Sequence, residues 1–216
     1  DGEPVRRTLH TATWRFGSGH PVLDLLGGLG DIRYGTAPRL GVREDVRSFV
    51  LRNDSLVALS PAIGVFIEPL AGHTQTDLDG AVSGDRARFL VTGGIFTNDV
   101  VDARALIMDL RGPFGIEVIE QAPPTPVRSG HAGVRIAPGT VLLPGGRTLA
   151  DPSSDHAALF VDGIRAFLSW NLEDGVMAHA RRHFTATFLP DGRILLCGGL
   201  DAADAAVTPA EYLTVR

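Results

Sequence analysis

The 216-residue chain contains no lysine, a single cysteine, and only two tyrosines, two tryptophans and two methionines. All 20 basic residues are arginine, a bias that GC-rich coding explains without any functional demand. One cysteine excludes an internal disulfide and leaves both reducing and oxidising compartments open. The formal charge of -5, with no arginine cluster interleaved with aromatics, excludes the electrostatic footprint of a nucleic-acid binder. No run approaches the roughly 20 apolar residues of a membrane-spanning helix. There is no G-x-S-x-G elbow. The glycine-rich GGLGD at 27–31 is followed by Arg, Pro and Gly instead of a helix, so it lacks the helix N-terminus that would hold a phosphate. The chain opens on Asp1 without a charged-then-apolar leader, which reads as a processed form or a fragment.

What is abundant is turn chemistry between short apolar runs. With 26 Gly and 14 Pro beside 44% hydrophobic residues, the composition is that of a turn-rich globular all-β protein and not of disorder. The stretch RRHFTATFLPDGRILLCGG (181–199) has three relatives: PVRRTLHTATWRFGSGHPVLDLLGG (4–28), EPLAGHTQTDLDGAVSGDRARFLVTGG (68–94) and TPVRSGHAGVRIAPGTVLLPGG (125–146). Each runs from a His through a β-prone segment, a turn and an apolar segment to Gly-Gly. The pairs Gly27-Gly28, Gly93-Gly94, Gly145-Gly146 and Gly198-Gly199 are spaced by 66, 52 and 53 residues, and His10, His73, His131 and His183 by 63, 58 and 52. A third apolar segment follows each pair (46–51, 103–110, 156–161 and 210–215), and a fourth follows in three units (54–59, 115–121 and 165–170). The units are 4–66, 67–122, 123–175 and 176–216, each predicting short antiparallel strands joined by turns such as Pro190-Asp191-Gly192.

Four antiparallel strands per period make one blade of a β-propeller. The RSGH start at 128–131, the LLPGG and LLCGG endings and the AEY at 210–212 resemble the kelch repeat. That resemblance implies an all-β kelch-type propeller of about four blades over the whole chain. It also implies a larger or partner-completed ring, since such propellers usually close with more blades. The recurrent histidines and glycine pairs then serve the blades: glycines allow close backbone approach, and a residue repeated once per blade serves each blade before any single site. Cys197, in register with Pro144 and Thr92, reads as a small strand residue.

Chemistry is sparse in this pattern. His73 and Asp77, four apart on one strand, could converge, but no third ligand is signalled, so no metal centre is expected. Asp99 and Asp102, Asp151 and Asp155, and Asp201 and Asp204 lie in loops where calcium is conceivable, although solvated turn residues explain them as well. No other cofactor is implied. The radical copper oxidases that share the kelch fold need two Tyr, one linked to Cys, and two His; with only Tyr34 and Tyr212, and Cys197 in a Gly-Gly strand, that site does not carry over. No catalytic residue is nominated.

The resemblance implies a binding face where the loop after the second strand meets the connection to the next blade. The candidates there are Asp31, Arg33, Tyr34, Arg39 and Arg43 in the longest loop (29–45), with Asp99, Arg147, Asp151, Asp155 and Asp201 in the others. Aromatic and guanidinium groups suit a protein or glycan partner. The expected function is a non-catalytic binding or scaffold module in a bacterial secreted, surface or assembly setting, with further blades or another chain covering the open edges. The alternatives are a carbohydrate-active kelch enzyme, mutarotase-like or oxidase-like, whose catalytic residues lie partly elsewhere, and a structural subunit of an assembly.

Overall fold

Turn residues break the apolar runs into strands of two to seven residues. The computed structural model describes residues 7–17, 20–34, 37–42, 46–58, 70–80, 86–95, 101, 105–111, 115–120, 127–170 and 177–214. In the first unit these form β1 (Arg7–Thr8), β2 (Thr11–Gly17), β3 (His20–Leu26), β4 (Leu29–Tyr34), β5 (Ala37–Val42), β6 (Val46–Arg52) and β7 (Ser55–Ala58). The second unit has β8 (Thr74–Asp77), β9 (Arg86–Thr92), β10 (Ala105–Arg111) and β11 (Gly115–Glu120). The third has β12 (Arg128–Ser129), β13 (Val134–Ala137), β14 (Thr140–Pro144), β15 (Arg147–Thr148), β16 (Ala157–Val161) and β17 (Ala166–Trp170), and the fourth β18 (Thr185–Phe188), β19 (Arg193–Cys197) and β20 (Glu211–Thr214). Among the described residues the only helical element is a 3-10 turn at Asp162–Ile164.

The units are antiparallel meanders: β2-β3-β6-β7, β8-β9-β10-β11, β13-β14-β16-β17 and the three-stranded β18-β19-β20. The predicted third and fourth segments are β6, β10, β16 and β20, and β7, β11 and β17. The expected long loop at 29–45 is different. Its residues 29–34 and 37–42 pair as the hairpin β4–β5, with Asp31 opposite Leu40, Ile32 opposite Arg39 and Tyr34 opposite Ala37, and β1 adds to its edge. Gly35, Pro38 and Gly41 gave this stretch a loop-like composition that hid its strand pairing.

Successive sheets pack face to face. Side chains alternate across a strand, so a sheet covered on both faces needs apolar residues at consecutive positions. In the third unit Val141, Leu143, Ala158 and Phe160 pack with Leu78, Leu90, Ala105 and Ile107 of the second. The intervening Leu142 and Ala157 pack with Phe184, Ile194 and Leu196 of the fourth. At one edge of this stack the first strands adjoin in chain order: β2 with β8, β8 with β13, and β13 with β18.

Candidate functional site: the rim where the units meet

Just before each first strand the backbone turns left-handed, at Leu9 (φ 54°), Gly72 (66°), Gly130 (62°) and His183 (54°). These four steps form a relay. Gly72 N–H donates to Leu9 C=O at 3.0 Å, Gly130 N–H to Gly72 C=O at 2.8 Å, and His183 N–H to Gly130 C=O at 2.7 Å. Residues at corresponding places thus bond unit to unit.

The relay divides the four periodic histidines. His73 and His131 follow the left-handed step, are buried, and lie 3.1 and 2.8 Å from where a side chain on Gly27 or Gly93 would begin. In the fourth unit His183 occupies the left-handed step itself and is exposed, and Phe184 takes the ring position, 2.7 Å from the corresponding point on Gly145. The spacing carried a clue. Arg128 to Arg181 and Gly145 to Gly198 are both 53 residues apart, but His131 to His183 is 52.

The buried imidazoles bond to hydroxyls. Thr11 Oγ1 donates to Gln75 Oε1 at 2.9 Å, so it accepts from His73 Nε2, also at 2.9 Å. His131 Nε2 lies 3.0 Å from Thr74 Oγ1 and 3.1 Å from Thr92 Oγ1. Burial, with His10 nearby, pushes His73 down to about 3, and burial, reinforced by Arg128 and His73, lowers His131 well below the usual histidine value. Both rings are therefore neutral packing groups at ordinary pH.

Two buried arginines went unrecognised in the sequence reading. Arg128 Nη1 donates to the carbonyls of Leu143 (2.7 Å), Gly145 (2.9 Å) and His156 (3.3 Å), and burial lowers its guanidinium to about 10. Arg181 donates to the Gly198 and Pro209 carbonyls at 3.1 and 3.2 Å and pairs with Glu211 at 3.0 Å. Both arginines reach carbonyls 17 and 28 residues ahead, stapling the segment before the first strand to the Gly-Gly and to the entry of the third strand. The shared offset was the available signal.

Asp31, Arg33, Tyr34 and Arg39 lie on the β4–β5 hairpin, and Arg43, Asp99 and Asp102 lie outside the described residues. Asp201 Oδ1 accepts from the Ala203 and Ala205 N–H groups at 2.8 and 2.9 Å, capping its own turn, and Asp204 pairs with Arg182. Asp151 N–H and C=O both bond Thr148, and Asp155 lies 3.6 Å from His156. Asp77 caps the turn at Asp79 and Gly80 and lies 3.4 Å from Arg135, away from the buried His73. Among the described residues no three His, Cys, Asp or Glu side chains gather to hold a metal ion.

The loops of the third and fourth units are locked together. Arg182 Nη1 donates to Pro152 C=O at 2.9 Å and Asp201 C=O at 2.6 Å, and Ser153 Oγ donates to Leu200 C=O at 3.1 Å. The Arg147 and Leu149 side chains stand exposed on this frame, Leu149 at 77%.

The chain matches the solved "Structure of YjhT" with a TM-score of 0.61 at 15% identity, covering 97% of this chain and 82% of that one. It shares that fold. No family model and no curated protein matches the chain, and at this identity the likeness bears on architecture alone.

Proposed function

We propose that this chain is a kelch-type β-propeller, or part of one, that works as a non-catalytic binding module for a protein or glycan partner. The meander units, the Gly-Gly repeats and the row of first strands support the propeller reading. The binding reading rests on one observation: an exposed cationic and apolar tip, Arg147 and Leu149, carried on loops that hydrogen bonds already hold in place. Preorganised loops lose little freedom on binding, so even a small contact area retains its affinity. Asp201 and Asp204 are engaged in a turn and an ion pair, and the imidazoles of His73 and His131 are buried.

The test probes glycan and protein microarrays with the wild-type chain and with the double variant Arg147→Glu, Leu149→Asp. Both side chains are exposed, so the variant should unfold with the wild type to within about 0.5 kcal/mol. The expected result is a discrete set of ligands lost by the variant. Ligands bound equally by both, or accelerated sugar anomerisation seen by NMR with wild-type chain, would overturn the reading.

A further inference from the structure

Three Gly-Gly steps receive the following unit through the same backbone bond. Gly28 N–H donates to Leu70 C=O (2.8 Å), Gly94 N–H to Arg128 C=O (3.0 Å), and Gly146 N–H to Arg181 C=O (2.9 Å). Each step also takes a ring from that unit over its first glycine, from His73, His131 or Phe184. Because the backbone contact is the same three times, it cannot tell one unit from another. Any preference has to come from side chains.

Two positions of the earlier unit line each seat: the residue just after its own ring position on the first strand, and the residue just before its Gly-Gly. In the second unit these are Thr74 and Thr92, register partners whose Oγ1 atoms lie 2.9 Å apart, and His131 Nε2 lies 3.0 and 3.1 Å from them. In the third unit the same two positions hold Ala132 and Pro144, joined by Ala132 N–H donating to Pro144 C=O at 3.2 Å, and the ring at that contact is Phe184. Ala132, Pro144 and Phe184 are buried, and Ala132 and Phe184 belong to one apolar cluster. In the first unit the positions are Thr11 and Leu26, and one hydroxyl suffices for His73 because Gln75 Oε1 takes the Thr11 proton. From the second contact to the third, all three groups change together from polar to apolar. A hydroxyl-bearing seat comes with an imidazole, and an apolar seat with a phenyl ring.

We infer that this pairing is a matching code that decides which unit each seat takes, admitting His73 and His131 to the first two seats and Phe184 to the third. A phenyl ring on the second seat would deprive Thr74 and Thr92 of the imidazole they bond. An imidazole on the third would be buried against Ala132 and Pro144, whose side chains offer it no hydrogen bond. The discrimination lies in the cost of the wrong pairing more than in the strength of the right one, as when a single buried polar residue fixes the register of a coiled coil. The inference rests on differences between repeated contacts and is independent of the ligand-binding reading.

The test places an imidazole at the apolar seat and asks whether a hydroxyl opposite it becomes favourable, read as urea midpoints at equal slope. Phe184→His is combined with Ala132→Thr and, separately, with Ala132→Val, which has nearly the same shape without the hydroxyl. With Phe184 in place, Val at 132 should give the higher midpoint. In the Phe184→His background the order should reverse, with Thr the higher. The same order of Thr and Val in both backgrounds overturns the inference, because the seat then senses volume or local propensity and not the match. Should Phe184→His fail to fold, the mirror experiment uses the second seat. Thr74→Val should lower the midpoint when His131 is present and raise it in the His131→Phe background, and a change of the same sign in both overturns the inference.

Discussion

A methyl group on Gly145 would begin 2.6 Å from the Arg181 carbonyl oxygen and 2.7 Å from the Phe184 ring, on a backbone at φ 65°. The neighbouring backbone cannot yield cheaply, so Gly145→Ala should lower unfolding stability by about 2–5 kcal/mol. Gly198→Ala meets no described residue within 4 Å, at a similar φ, and should cost only about 1–2 kcal/mol of conformational strain. Urea midpoints at equal slope separate the two. His73 supplies a second test. Its folded-state value, near 3, is below the roughly 6.5 of an unfolded histidine, so below that pH the unfolded chain takes up a proton that the folded chain refuses. Stability should therefore fall as pH drops from about 6.5 toward about 3, with His131 adding to the slope in the same direction. His73→Gln should flatten that dependence when urea midpoints at about pH 7 and about pH 5 are compared. Both glycine pairs and buried histidines were visible in the sequence as repeats. The slip at His183 arose because identity was matched where conformation was conserved between units: the left-handed step takes Gly, Leu or His, and the ring position takes His or Phe.

The strand β16 shows why the elements read well from sequence. Its AALFV run has apolar residues at successive positions because one face meets the second unit and the other the fourth. Phe160, fully buried and 5.0 Å from Phe167 between ring centres, belongs to the cluster shared by two sheets. Phe160→Ala should cost about 3–5 kcal/mol in chemical denaturation, with the same antiparallel circular dichroism in the absence of denaturant. The hairpin β4–β5 was the least legible element. Its Gly and Pro residues carry loop composition, and what makes it a hairpin is pairing within it and with β1, a relation between segments that local propensity does not encode. The candidates on it, Asp31, Arg33, Tyr34 and Arg39, were chosen as loop residues and stand on strands.

For the molecule as a whole, the sheets stack with a direction: the first three Gly-Gly steps receive the next unit, and the left-handed steps at Gly72, Gly130 and His183 bond back to the preceding one. The stack also holds the third and fourth loops in one frame, so that Arg182 bridges Pro152 and Asp201 and leaves Arg147 and Leu149 exposed. The sequence by itself determined the all-β class, the unit period and the places of the third and fourth strands. Those follow from turn chemistry and apolar runs that recur along the chain. Only the tertiary structure decided which carboxylates stay available, why Arg128 and Arg181 are buried, and which apolar faces remain open. Each of those depends on a neighbour about fifty residues away and on the carbonyls it presents, and burial and hydrogen-bond partners arise only when units meet.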